Sequence, residues 1–174
     1  MLSIIKKTGL LFFVITALLS SCLKEKEYPV IPEIEFQTFL TIRNEQDIDE
    51  RGVLIFSFKD GDGDIGLSEE QTESPYDYNL FIKYFEMQNG ELTEVLPTFY
   101  NPNTGIYDTI TFNSRIPMLT PEGRIKAIKG TVRDTIFIYN PTSQFDTICF
   151  EAYIKDRELH ESNVIKTPLI IIKK

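Results

Sequence analysis

From residue 34 to residue 173 the apolar side chains recur with a period near two, in short runs that Gly, Pro, Asn or Asp interrupts. Period two places alternate side chains on one face of a strand, whereas a helix would need a period of 3.6. No helical pattern of useful length follows residue 22. Strands are expected over 34–43, with Phe36, Phe39 and Ile42 as anchors, and over 52–59, where Leu54, Phe56 and Phe58 share a face. Further strands are expected over 78–88, 91–96, 106–112, 146–155 and 164–173, with 97–104 and 117–123 as loops. The run 124–139 is long for one strand, and Gly130 reads as a bend or bulge that divides it. Asn89-Gly90 is the strongest hairpin signal, because both residues tolerate the positive φ of a type I′ turn. About eight short strands with turns at regular spacing predict an all-β, immunoglobulin-like antiparallel β-sandwich. A chain of 174 residues has room for one such domain, expected over 34–174.

The first 33 residues have a different character. Lys6 and Lys7 precede an apolar stretch over 8–19, too short for a membrane span. The segment ends in Leu19-Ser20-Ser21-Cys22, which resembles a lipobox. That pattern predicts a lipoprotein signal peptide over 1–21, with cleavage before Cys22 and acylation (palmitate among the chains) of Cys22. Several acyl chains would anchor firmly where one is marginal. Residues 22–33 then form the lipidated Cys and a tether, with Pro29 and Pro32 favouring extended chain. The charged run 23–27 resembles signals for transfer to the outer face of an outer membrane. The alternatives are an ordinary secretory signal with an incidental Cys or an uncleaved anchor, and, for the charged run, a solvated spacer.

One loop concentrates a single chemical type. Asp60-Gly61-Asp62-Gly63-Asp64 follows the strand 52–59 directly, and Ile65 and Leu67 read as pegs that anchor it to the core. Three alternate carboxylates on a glycine-rich curl suit Ca²⁺, which takes six to eight oxygen ligands. Gly61 and Gly63 are expected to supply the curl through positive φ. The loop is not an EF-hand, because Ile65 stands where the glycine belongs and Gln71 where the final Glu belongs. The alternative is an acidic surface turn that binds nothing.

The phrase Phe58-Lys59-Asp60-Gly61-Asp62-Gly63-Asp64-Ile65-Gly66-Leu67 resembles the signature of a set of uncharacterised outer-membrane lipoproteins of Bacteroidota-type bacteria. In that set it likewise follows a lipid anchor and the first strands of a β-rich domain. The resemblance implies an outer-membrane, lipid-anchored protein on the periplasmic or the cell-surface side. It implies no settled activity.

In an immunoglobulin-like sandwich the loops after the second and the penultimate strands lie at one end. The second of these contains Asp156-Arg157-Glu158, similar to the Asp-Arg-Glu of cadherin-like calcium sites. Asp156 and Glu158 (or Glu161) are therefore expected to join Asp60, Asp62 and Asp64 as metal ligands, the alternative being that Arg157 pairs with neighbouring carboxylates. The same topology would make the tether and the aspartate loop neighbours.

Net charge is −8, and near −10 from Cys22 onward, where 16 basic residues face 26 acidic ones. Such a surface repels nucleic acid and anionic lipid and attracts cations. His160 is the single histidine, and Cys149 is the one cysteine besides Cys22, expected to be a buried small hydrophobe. Serine-hydrolase, zincin and phosphate-loop motifs are absent. The sequence therefore predicts a non-enzymatic binding or accessory protein of the envelope, with Ca²⁺ in its acidic loop. A purely structural envelope lipoprotein is the alternative, followed by an enzyme acting on glycans. Beyond the membrane, an envelope protein or a glycan is the expected partner, with Tyr76, Tyr78, Tyr84, Tyr100 and Tyr107 as a candidate aromatic patch.

Overall fold

The computed structural model describes residues 28–119 and 126–174, so the expected export signal, Cys22 and the charged run 23–27 lie outside the described residues. Among the described residues ten strands follow one another: β1 (Glu33–Arg43), β2 (Asp49–Asp60), β3 (Leu80–Gln88), β4 (Glu91–Glu94), β5 (Thr98–Asn101), β6 (Ile106–Thr109), β7 (Ile128–Phe137), β8 (Thr147–Ile154), β9 (Ile165–Lys166) and β10 (Ile170–Ile171). One sheet has the order β1-β2-β7, and the facing sheet has β10-β8-β3-β4 with β9 also on β8. Every strand pairing is antiparallel. With β5 and β6 as an inserted hairpin, this is the strand order of an immunoglobulin-like sandwich.

Alternation in β2 and β3 builds the core. Leu54, Phe56 and Phe58 of β2 face Leu80, Ile82 and Tyr84 of β3 and Ile148, Phe150, Ala152 and Ile154 of β8. Phe39 stacks on Phe150 across the layers at 5.4 Å between ring centroids. Full burial of one such side chain contributes about 1.5–3 kcal/mol. Asn89 and Gly90 take φ of 54° and 89°, as the hairpin signal requires. Cys149 is buried and unpaired with another cysteine.

Four expectations give way, each for a physical reason. Gly130 makes no bend: the β2–β7 register runs unbroken, and a Cβ at Gly130 would lie 2.8 Å from the Phe58 ring. The glycine there is a seat for an aromatic ring. A bulge between Phe36 and Thr38 resets the alternation in β1, so Phe36 and Phe39 both pack on the core and Ile42 is left exposed. The segment 97–104 is no plain loop, because β5 pairs with β6 through it, Tyr100 opposite Tyr107. The final strand is broken into β9 and β10 around Pro168, which has no N–H for the ladder. Beside that break, Thr167 serves β8 instead, accepting from the Phe150 N–H through its hydroxyl at 3.0 Å.

Candidate metal centre

The site grows from the end of β2. Asp60 is the last residue of that strand, paired with Ile128 of β7 and fully buried. Its Oδ2 accepts the Ile65 N–H at 3.1 Å, which closes the loop on itself. Its Oδ1 has no partner, and the same holds for the buried Oδ1 atoms of Asp62 and Asp64. One carboxylate oxygen from each of the three lies within 4.8 Å of the others. Ile65 and Leu67 are buried, as the peg reading expects.

Burial and charge crowding act together on these carboxyls. Burial, helped by the adjoining Asp62 carboxyl and the charge of Asp64, pushes the Asp60 carboxyl up to about 7, against the pull of the Ile65 N–H. Burial and the charges of Asp156 and Asp62 push Asp64 up to about 6, while Arg157 and the Glu158 N–H pull the other way. Two like charges ~4 Å apart cost about 1 kcal/mol in water and about 4 kcal/mol at the effective dielectric near a protein surface.

The glycines answer to neighbours more than to curvature. Gly63 has φ of 73°, but Gly61 lies outside the left-handed region, contrary to the expectation that both supply the curl. At Gly61 a Cβ would meet the carbonyls of Tyr28 and Pro29, at Gly63 that of Lys126, and at Gly66 that of Pro117. Three other segments thus close on the loop backbone. The segment before β1, the expected tether, is one of them, through a 2.8 Å hydrogen bond from the Gly61 N–H to the Pro29 carbonyl.

The loop after β8 does sit beside the aspartates. The Glu158 N–H donates to Asp64 Oδ2 at 3.2 Å, Arg157 Nη1 to the Gly66 carbonyl at 3.2 Å, and the Tyr76 hydroxyl to the Arg157 carbonyl at 3.3 Å. Its carboxylates are used differently from the sequence expectation. Asp156 is buried, with Oδ1 accepting the His160 N–H at 2.8 Å and Oδ2 2.9 Å from His160 Nδ1. The Glu158 residue is exposed, and its backbone rather than its carboxylate reaches the cluster. The structure therefore groups Asp60, Asp62 and Asp64, and holds Asp156 near enough to act on Asp64 by charge alone. His160 is more than a surface residue, since the hydrogen bond and charge of Asp156 raise its pKa.

Arg115 is a site organiser that carried no sequence signal. It donates to the Tyr76, Asp77 and Ser68 carbonyls at 2.8, 2.9 and 2.9 Å, pinning the excursion between the aspartates and β3. The tyrosines do not form one patch. Tyr84 is buried with its hydroxyl on Glu86, while Tyr100 and Tyr107 meet edge to face on the exposed hairpin.

The donor set fits a hard divalent cation. It offers three carboxylate oxygens already stripped of water and without protein donors, and no nitrogen or sulfur. Ca²⁺ tolerates irregular oxygen shells completed by carbonyls and water, whereas Mg²⁺ demands a near-octahedral one. No family model, curated protein or solved structure matches this chain.

Proposed function

We propose that this chain is a lipid-anchored, non-enzymatic β-sandwich protein of the outer membrane whose Asp60–Asp62–Asp64 loop binds Ca²⁺, in a binding or accessory role. The observation that carries the cation is the set of three buried carboxylate oxygens without partners. A buried polar atom left unpaired costs about 1–3 kcal/mol, and more when charged. One divalent ion would draw a carboxylate oxygen from each of the three residues. The lipid anchor rests on Lys6, Lys7, the apolar run and Leu19-Ser20-Ser21-Cys22.

A second reading has its own observation. Burial raises the Asp60 carboxyl to about 7, so a proton held there would neutralise part of the cluster without metal and leave a purely structural loop. Thermal unfolding of the full chain in detergent separates the two. Excess CaCl₂ over chelator should raise the midpoint by several degrees, the shift expected when a ligand at ~100 times its dissociation constant adds about 2.7 kcal/mol. Asp60→Ala and Asp64→Ala should each abolish it. No shift up to millimolar calcium would leave the proton reading.

A further inference from the structure

We infer that the cation loop and the tether form one device: filling the aspartate cluster fixes residues 28–31 against the domain, and emptying it releases them. This rests on the Ca²⁺ reading, which it deepens. Gly61 stands between two of the three carboxylates, and its N–H holds the Pro29 carbonyl at 2.8 Å. A side chain at Gly61 would run into the tether backbone. Its φ does not require glycine, so the contact does.

The loop and the tether therefore share a peptide unit. Without a cation, three carboxylates within 4.8 Å repel, and Asp60, fully buried with Oδ1 unpaired, is the least able to reach water. The cheapest relief is rotation of the peptides between the aspartates, and these carry the N–H aimed at Pro29. A cation bridging Asp60 and Asp62 would hold those peptides still. Downstream of the tether no such dependence exists, because the Asn163 side chain clamps Ile34 through both its N–H and its carbonyl, at 2.9 and 2.8 Å. Upstream the grip is shallow, since Val30 and Ile31 are 50% and 53% exposed. Releasing residues 28–31 would lengthen the free tether by about 13 Å at ~3.3 Å per residue. Calcium would then set how closely the domain sits on its anchor.

Linkage makes the coupling reciprocal, so loosening the tether must weaken calcium by the same factor. The test uses the full chain in detergent, with CaCl₂ as the probe, calorimetry for binding and hydrogen exchange for the amides of Tyr28, Val30, Ile31 and Gly61. Calcium should slow exchange at these amides. Gly61→Ala, which keeps every carboxylate, should speed exchange there and weaken calcium at least fivefold, within the usual range of coupling. Pro29→Gly leaves the loop sequence intact and should act in the same direction, which guards against a misfolded Gly61 variant. Calcium binding with unchanged tether exchange, or with wild-type affinity in both variants, would overturn this inference and leave the calcium site standing. No binding heat would overturn both.

Discussion

The two ends of β2 each bury an aspartate, and they treat it in opposite ways. Asp49 begins the strand with Oδ1 on Arg43 Nε at 2.9 Å and Oδ2 on the Lys173 N–H at 2.9 Å. Buried Glu86 is also provided for, by the Tyr84 hydroxyl at 2.9 Å and Gln88 Nε2 at 3.1 Å. Asp60 ends the strand with one oxygen unpaired and two more acids beside it. The fold is thus able to satisfy a buried carboxylate with its own donors, and at the Asp60 end it does not. At that end the charge is left unpaired, while backbone from three segments closes around the loop.

The contrast is open to attack, beginning with its largest consequence. Asp49→Ala should cost about 3 kcal/mol, because it removes a buried charged acceptor and strands the Lys173 N–H. Urea unfolding should show the same loss in calcium and in chelator; a calcium-dependent loss would erase the distinction between the ends. Asp60→Asn should change sign with conditions. In chelator it should stabilise by about 1 kcal/mol or more, since a repelling charge is gone. In saturating calcium it should forfeit the roughly 2.7 kcal/mol that a ligand at ~100 times its dissociation constant supplies.

A pH series sharpens the same point. Asp60 at about 7 and Asp64 at about 6 hold protons more tightly in the folded chain than at their ordinary 3.8. In chelator the folded state therefore binds more protons than the unfolded one between about pH 4 and 7, and stability should fall as pH rises through that window. Calcium should flatten or invert the slope, and Asp60→Asn should reduce it. A midpoint rising with pH in chelator would refute the crowding. The smallest effect concerns His160, whose raised pKa comes first from its hydrogen bond to Asp156. Its contribution is present below the unfolded pKa and fades as pH rises through the folded one. A proton NMR titration of this single histidine should move to lower pH in Asp156→Asn, and should also move down when calcium neutralises nearby Asp64.

How much of this was legible varied with the range of the interaction. Leu54, Phe56 and Phe58 alternate because a strand presents every second residue to one side, so β2 could be read directly. Asn89-Gly90 was equally plain. Gly61 and Gly130 were misread as places where the chain turns, when each makes room for a partner far away in the chain, Pro29 and Phe58. Asp156 was legible as a neighbour of the aspartates but not as the holder of His160. Nothing in the sequence around Arg115 marks it as the clasp of three carbonyls.

The sequence by itself determined the strands, the hairpin and the chemical character of the acidic loop, because covalent geometry and side-chain period act over a few residues. Only the tertiary structure decided that Asp60 would be fully buried with a free oxygen while Asp49 would not. Whether a buried oxygen is satisfied depends on which donors arrive from distant segments. Lys173 reaches Asp49 across the whole domain, and at Asp60 the arriving segments turn their carbonyls to the glycines and bring no donor to the free oxygen.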